Sequence, residues 1–167
     1  GGKTLHLSAL MQNRGRLLAL DTEAHKLEDL KQRARRAGAA NITPRPITST
    51  KTIKRLDGQA DRLLLDVPCS GLGVLRRNPD ARWHLTPRQL QQLRETQAHI
   101  LSYYPRMLKP GGLLAYVTCS VLPSESEEQV QAFLKEKGSA FKLVEEKRLW
   151  PQEEGFDGFY LALLEKV

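Results

Sequence analysis

The chain of 167 residues contains two cysteines, and each follows a short apolar run. Leu63-Leu64-Leu65 leads into Asp66-Val67-Pro68-Cys69-Ser70-Gly71, and Leu113-Leu114-Ala115-Tyr116-Val117 leads into Thr118-Cys119-Ser120. Apolar runs of this length read as buried strands, and the Pro, Ser and Gly after the first one turn the backbone. Ligands of open α/β sheets sit beyond the carboxyl ends of the strands. Asp66, Cys69 and Cys119 therefore stand where chemistry is done. The chemistry available there is nucleophilic: a thiolate can form a covalent bond to an electron-poor carbon. Either cysteine alone reads more readily as a small buried residue; it is the repeated placement after a strand that favours function.

A second group of residues lies upstream. Gly1-Gly2-Lys3-Thr4 resembles the tail of a glycine-rich cofactor loop, where the absence of a Cβ lets backbone approach a ligand. Asp21 ends the apolar run Leu17-Leu18-Ala19-Leu20. It falls about 20 residues after the glycines, the spacing at which a carboxylate meets ribose hydroxyls in nucleotide-binding folds. The other reading of Asp21 is a cap for the helix that follows, and the two roles are compatible.

The elements that must position these residues follow from periodicity. A helix is predicted over 3–11, a strand over 16–21, and a helix over 23–37 with Ala24, Leu27, Leu30 and Ala34 as its apolar stripe. Lys26, Lys31, Arg33, Arg35 and Arg36 form its basic side, read as a solvated face. Pro44 and Pro46 confine the weak strand at 42–47 to a sheet edge or an irregular piece. Pro87 opens a long helix running to about residue 108, with a late kink at Pro105. Lys109-Pro110-Gly111-Gly112 is the turn into the strand before Cys119, and Ser124 with Glu127 reads as a capping box for the next helix. Segments 141–144 and 159–164 close the sheet as an antiparallel pair. Trp83 reads as a buried anchor, because large aromatics are usually well buried, and His84 as structural.

Taken together, Asp66-Val67-Pro68-Cys69-Ser70-Gly71, Arg77-Asn78-Pro79-Asp80 with Trp83, Thr118-Cys119-Ser120-Val121-Leu122-Pro123, the opening Gly1-Gly2-Lys3-Thr4 and the closing Asp157-Gly158-Phe159-Tyr160 resemble the RNA 5-methylcytosine methyltransferases of the RsmB/Fmu/NOL1/NSUN type. The resemblance covers nearly the whole chain, and within the family it lies nearest the bacterial 16S rRNA cytosine-C5 enzymes. It implies an α/β, Rossmann-like class I S-adenosylmethionine-dependent methyltransferase fold: a mostly parallel sheet with an antiparallel closing strand and helices on both faces. The cofactor it implies is S-adenosyl-L-methionine, held by Gly1, Gly2, Lys3, Asp21, Asp66 and a residue near Thr48. The family commonly has an Asp on the adenine side at about that last position, and this chain has Thr48 or Ser49 instead. By the same resemblance Cys119 is the nucleophile, Cys69 assists product release, and Asp66 hydrogen-bonds the cytosine edge. Residues 1–167 are then one catalytic domain lacking its first strand and the start of its cofactor loop, which leaves an expected gap at the centre of the sheet.

Composition agrees with an anionic partner. The formal net charge is +7, which favours RNA, and the resemblance points to small-subunit rRNA. Arg76, Arg77 and Arg82 beside Trp83 suit a phosphate backbone and a stacked base. No apolar run approaches the ~20 residues of a membrane span. Two cysteines without a disulfide framework fit a reducing cytoplasm. No cysteine and histidine spacing suggests a metal site, and a monomer is expected. A DNA cytosine methyltransferase would use the Pro-Cys cysteine as nucleophile, and Thr118-Cys119-Ser120 argues for the RNA family. An amino-group methyltransferase would want an aromatic after Pro-Pro, which Val67-Pro68-Cys69 does not provide. A hydride-transferring oxidoreductase lacks its acid/base set here. A non-catalytic RNA-binding module keeping the fold is the alternative from another class, and the retention of both cysteines and Asp66 speaks against it.

Overall fold

A computed structural model describes the backbone of all 167 residues and every side chain except that of Glu154. In chain order the elements are α1 (Gly2–Leu10), β1 (Leu17–Asp21), α2 (Ala24–Arg36), β2 (Ile42–Pro46), α3 (Thr50–Lys54), β3 (Ala60–Asp66), α4 (Ala81–His84), α5 (Pro87–Tyr103), β4 (Leu108–Thr118), α6 (Glu127–Lys137), β5 (Phe141–Leu149), α7 (Pro151–Glu154) and β6 (Phe159–Lys166). They fall into two compact units, Gly1–Arg55 and Leu56–Val167.

In the first unit β1 and β2 pair in parallel as a two-stranded sheet. Leu27, Leu30 and Ala34 of α2 are buried, and Leu27 and Leu30 pack with Ala19, Leu5, Leu17 and Ile42 into a small core. The basic side of α2 is exposed, and Lys26–Glu23 and Lys31–Glu28 pair along it at 2.6 Å. Such surface pairs add little stability, so the face is solvated, as read from the sequence. Gly38 lies past the end of α2 at φ +62°, the left-handed conformation that ends many helices.

The second unit is a four-stranded sheet in the order β3-β4-β6-β5. β3 and β4 are parallel, and β6 runs antiparallel to both β4 and β5. The closing pair is therefore antiparallel, with β5 extending further than expected, to Leu149. Leu65, Val67, Leu101, Leu108, Leu114, Tyr116, Val130, Phe133, Tyr160 and Leu164 are among the buried residues of its core.

Four local expectations are corrected. β3 begins at Ala60, and β4 takes in the Leu108–Gly112 stretch expected as a turn; the register slips between Ala60 and Arg62, and Gly111 sits at φ +73°. The long helix ends at Tyr103 and continues as a 3₁₀ turn, Tyr104–Met107, because Pro105 has no amide hydrogen to give the helix. Its start is capped by Thr86, whose hydroxyl accepts from Gln89 N at 3.2 Å. The capping box at Ser124 and Glu127 does not form: α6 begins at Glu127 without a side-chain cap, after a 3₁₀ turn over Pro123–Glu125. The chain takes that turn with Glu125 drawn into the core, and Glu127 pairs with Arg148 instead. Trp83 is not an anchor. It is 73% exposed, and the Arg82 guanidinium lies 4.5 Å from its ring centre. Among the described residues no helix is long and apolar enough to cross a membrane.

Candidate active site

β3 and β4 are adjacent and parallel, with Asp66 beside Val117. Their carboxyl ends therefore lie side by side, and so do the two loops that leave them. This register brings Cys69 Sγ within 3.4 Å of Cys119 Sγ. Both cysteines are half-buried, and neither is in a disulfide. Asp66, the last residue of β3, is exposed at the same end of the sheet. The loops are joined by backbone. Val67 N donates to Val117 O at 3.3 Å, Gly73 N donates to Cys119 O at 2.9 Å, and Gly158 N donates to Gly73 O at 2.8 Å. Gly71 sits at φ +70°, a conformation that costs glycine nothing and other residues much more.

The Cys69 thiol is pushed well above the usual cysteine range. The first cause is its hydrogen bond with Cys119, and burial and the neighbouring sulfur's charge add to it. The two sulfurs therefore share one hydrogen bond at 3.4 Å and resist losing both protons together. Tyr116, fully buried on β4, is likewise pushed up, first by burial and then by its electrostatic interaction with Cys69 and Glu125.

The sequence reading missed the groups that hold these loops. Glu125 is fully buried. It accepts from Ser70 N at 2.9 Å, from Gln97 Nε2 at 3.0 Å, and from the hydroxyls of Ser70 and Ser120. Gln97 Nε2 also donates to Pro68 O at 2.8 Å, so both its acceptors lie on the nitrogen side and fix the orientation of the amide. Arg148 grips Glu127 with two nitrogens and donates to Ser120 O at 3.3 Å. Burial pushes the Glu127 carboxyl up, but the hydrogen bonds and charge of Arg148 outweigh it and hold the carboxyl below its ordinary value. The signal that was present is the repeated Cys-Ser dipeptide: two hydroxyls brought together at a buried site need an acceptor between them.

In the first unit, Gly1 precedes the first turn of α1, and a Cβ on it would meet Leu30 Cδ1 at 2.8 Å, whereas Gly2 faces open space. Asp21 ends β1, and its Oδ1 accepts the Glu23 amide at 2.9 Å. This bond closes a turn ahead of α2, whose N-cap is Glu23 with no side-chain cap bond, so Asp21 is not the helix cap expected of it. Only one carboxylate oxygen is used in this bond, and Asp21 is partly exposed, so the residue fits a diol-bearing ligand as well. Thr48 lines an open depression of about 360 Å³ with Arg45, Pro46, Thr52 and Arg55. In the second unit Arg76, Arg77, Gly155, Phe156 and Asp157 line another of about 360 Å³. There Arg77 pairs with Asp157 at 2.5 Å and Arg76 donates to Gly155 O at 2.9 Å. His84 is exposed.

Residues 1–165 match the family model described as 16S rRNA methyltransferase RsmB/F. The probable ribosomal RNA small subunit methyltransferase B of Bacillus subtilis is 33% identical over 99% of the chain, and the match spans 41% of that relative. The chain thus spans about two fifths of the length of the curated relatives it matches. The crystal structure of PH0851 superposes with a TM-score of 0.91 at 34% identity, over 99% of this chain and 40% of that one. NSun6 from Pyrococcus horikoshii with SFG, an analogue of S-adenosylmethionine, superposes with a TM-score of 0.88 at 27% identity, over 100% of this chain and 45% of that one. The fold is that of the Rossmann-like S-adenosylmethionine-dependent methyltransferases.

Proposed function

This chain belongs to the 16S rRNA methyltransferase RsmB/F family, and from that premise we propose that the full-length protein methylates C5 of a cytosine in RNA, with small-subunit rRNA as the substrate class. Residues 1–167 are read as its catalytic domain. The observation that carries the proposal is the approach of Cys69 and Cys119 to 3.4 Å at adjoining strand ends.

Cytosine C5 is a weak nucleophile, and the base must first leave its stack to be reached. In the proposed sequence the Cys119 thiolate adds to C6, and the C5=C6 electron pair becomes available at C5. S-adenosylmethionine supplies an electrophilic methyl group when bound. The C5 proton then leaves, the C5=C6 bond re-forms, and Cys119 departs as thiolate. Cys69 sits beside the attacking sulfur and assists that departure. Asp66 holds the N3/N4 edge of the ring. Gly1, Gly2, Lys3 and Asp21 hold the cofactor, with Thr48 on the adenine side and Asp66 near its methionine end.

The test is to incubate the full-length protein with S-adenosylmethionine labelled on its methyl group and with unmodified small-subunit rRNA, then digest the RNA to nucleosides. Label in 5-methylcytidine is expected. Label in a methylated adenosine or guanosine would overturn the cytosine assignment.

Cofactor binding has its own test. A hydrogen bond to a charged group contributes about 1.5–3 kcal/mol, so Asp21→Ala should weaken S-adenosylmethionine binding by roughly 10- to 100-fold. The same change removes the acceptor of the Glu23 amide and costs about 1 kcal/mol of stability. Asp21→Asn retains an acceptor oxygen and separates the two effects. Calorimetry on the full-length protein showing parental affinity in both variants would remove Asp21 from the site.

A further inference from the structure

We propose that Glu125 is a positioning residue that sets the distance between the two cysteines by holding both of their loops on one carboxylate. The inference rests on the cysteine chemistry proposed above, and its test is separable from it.

Each oxygen of a carboxylate can accept two hydrogen bonds. Glu125 Oε1 accepts from Ser70 N and Gln97 Nε2, and Oε2 accepts from the hydroxyls of Ser70 and Ser120. All four places are filled, so the buried carboxylate is satisfied by hydrogen bonds alone. The loop of Cys69 is fixed on both flanks, at Ser70 by Glu125 and at Pro68 by Gln97, which is itself bound to Glu125. The loop of Cys119 is fixed at Ser120. The carboxylate is held in turn through its own backbone, where Glu125 O accepts from the buried Tyr116 hydroxyl at 2.9 Å.

The same carboxylate orders the hydroxyls next to the two thiols. The Ser70 and Ser120 oxygens lie 3.2 Å apart, and both of their protons go to Oε2 of Glu125. The two sulfurs stay within 3.4 Å of each other, and the spacing that couples their titration depends on the carboxylate that engages the serines.

Glu125→Gln keeps the shape but turns one acceptor oxygen into an amide donor, which must face either the two hydroxyls or the Ser70 and Gln97 donors. The readout is the pH profile of iodoacetamide alkylation at each cysteine, followed by peptide mass spectrometry on the full-length protein without RNA or cofactor. In the parent, Cys119 should alkylate at lower pH than Cys69. In Glu125→Gln the two profiles should converge by about one unit or more, a tenfold change in their relative thiolate fractions. Turnover should fall roughly 100-fold, the scale of a misplacement of about 1 Å, with KM for S-adenosylmethionine unchanged. Ser70→Ala and Ser120→Ala each remove one donor, and should show the same convergence to a smaller degree; they carry the test if Glu125→Gln does not fold.

Unchanged alkylation profiles in a folded Glu125→Gln protein, or in both serine variants if that protein is unfolded, would overturn the proposal, whatever the turnover. Convergent profiles in a protein whose parent makes no 5-methylcytidine would keep the positioning role and sink the C5 reading instead.

Discussion

Cys119→Ala in the full-length protein is expected to give neither methylated RNA nor a protein–RNA adduct, a loss of at least ~10³-fold, as when a covalent nucleophile is removed. Cys69→Ala is expected to fail in the opposite way. Its nucleophile is intact, so it should attack and transfer the methyl group. It lacks the second thiol beside the departing sulfur, so release should slow. An adduct that survives denaturing electrophoresis should then accumulate with cofactor and target RNA. The two sulfurs occupy almost the same place, and proximity alone would predict similar defects from their loss. What separates them in the proposed sequence is their part in it: Cys119 attacks C6, and Cys69 assists release. If Cys119→Ala traps the adduct and Cys69→Ala does not, the roles are reversed. If neither change affects methylation, the covalent route is wrong for this protein.

Both cysteines, Asp66 and Asp21 were legible in the sequence because each ends an apolar run, and strand ends are where a sheet presents side chains to ligands. The pairing of the two cysteine loops depends on the parallel adjacency of β3 and β4, which no local pattern in the chain shows. Glu125 was not legible, because its role depends on donors 55 and 5 residues away. In isolation it reads as one more acid in the first turn of a helix. The expected capping box at Ser124 failed for the same reason: a local signature gave way to a tertiary hydrogen-bond network drawing Glu125 inward. Trp83 failed in the other direction. Burial is the common fate of tryptophan, but α4 has no buried residue, and Arg82 covers the ring instead. An exposed aromatic ring next to an arginine is a kind of surface on which bases can stack.

Gly73 makes the second large-effect prediction, and its cause is steric. The residue joins three loops by backbone, donating to Cys119 O and accepting from Gly158 N. A Cβ there would stand 2.3 Å from Gly158 O and 2.8 Å from Cys119 O. Both obstacles are main-chain atoms, which cannot rotate away as a side chain can. Gly73→Ala must therefore push the Cys119 and Gly158 loops outward by about 1 Å, enough to cost roughly 100-fold in turnover where reacting groups are aligned, along with about 1–3 kcal/mol of stability from overpacking. Gly158→Ala is the informative contrast. Its Cβ would meet Pro151 Cδ and Cγ at 3.0 Å and Val121 Cγ1 at 3.2 Å, all side-chain atoms, so the neighbours can yield and the loss should stay within about tenfold. Turnover and thermal melting of the two full-length variants decide between a backbone clamp and ordinary crowding. Near-parental turnover in Gly73→Ala, or equal losses in both, would show that the spacing of the loops at Gly73 does not govern the reaction.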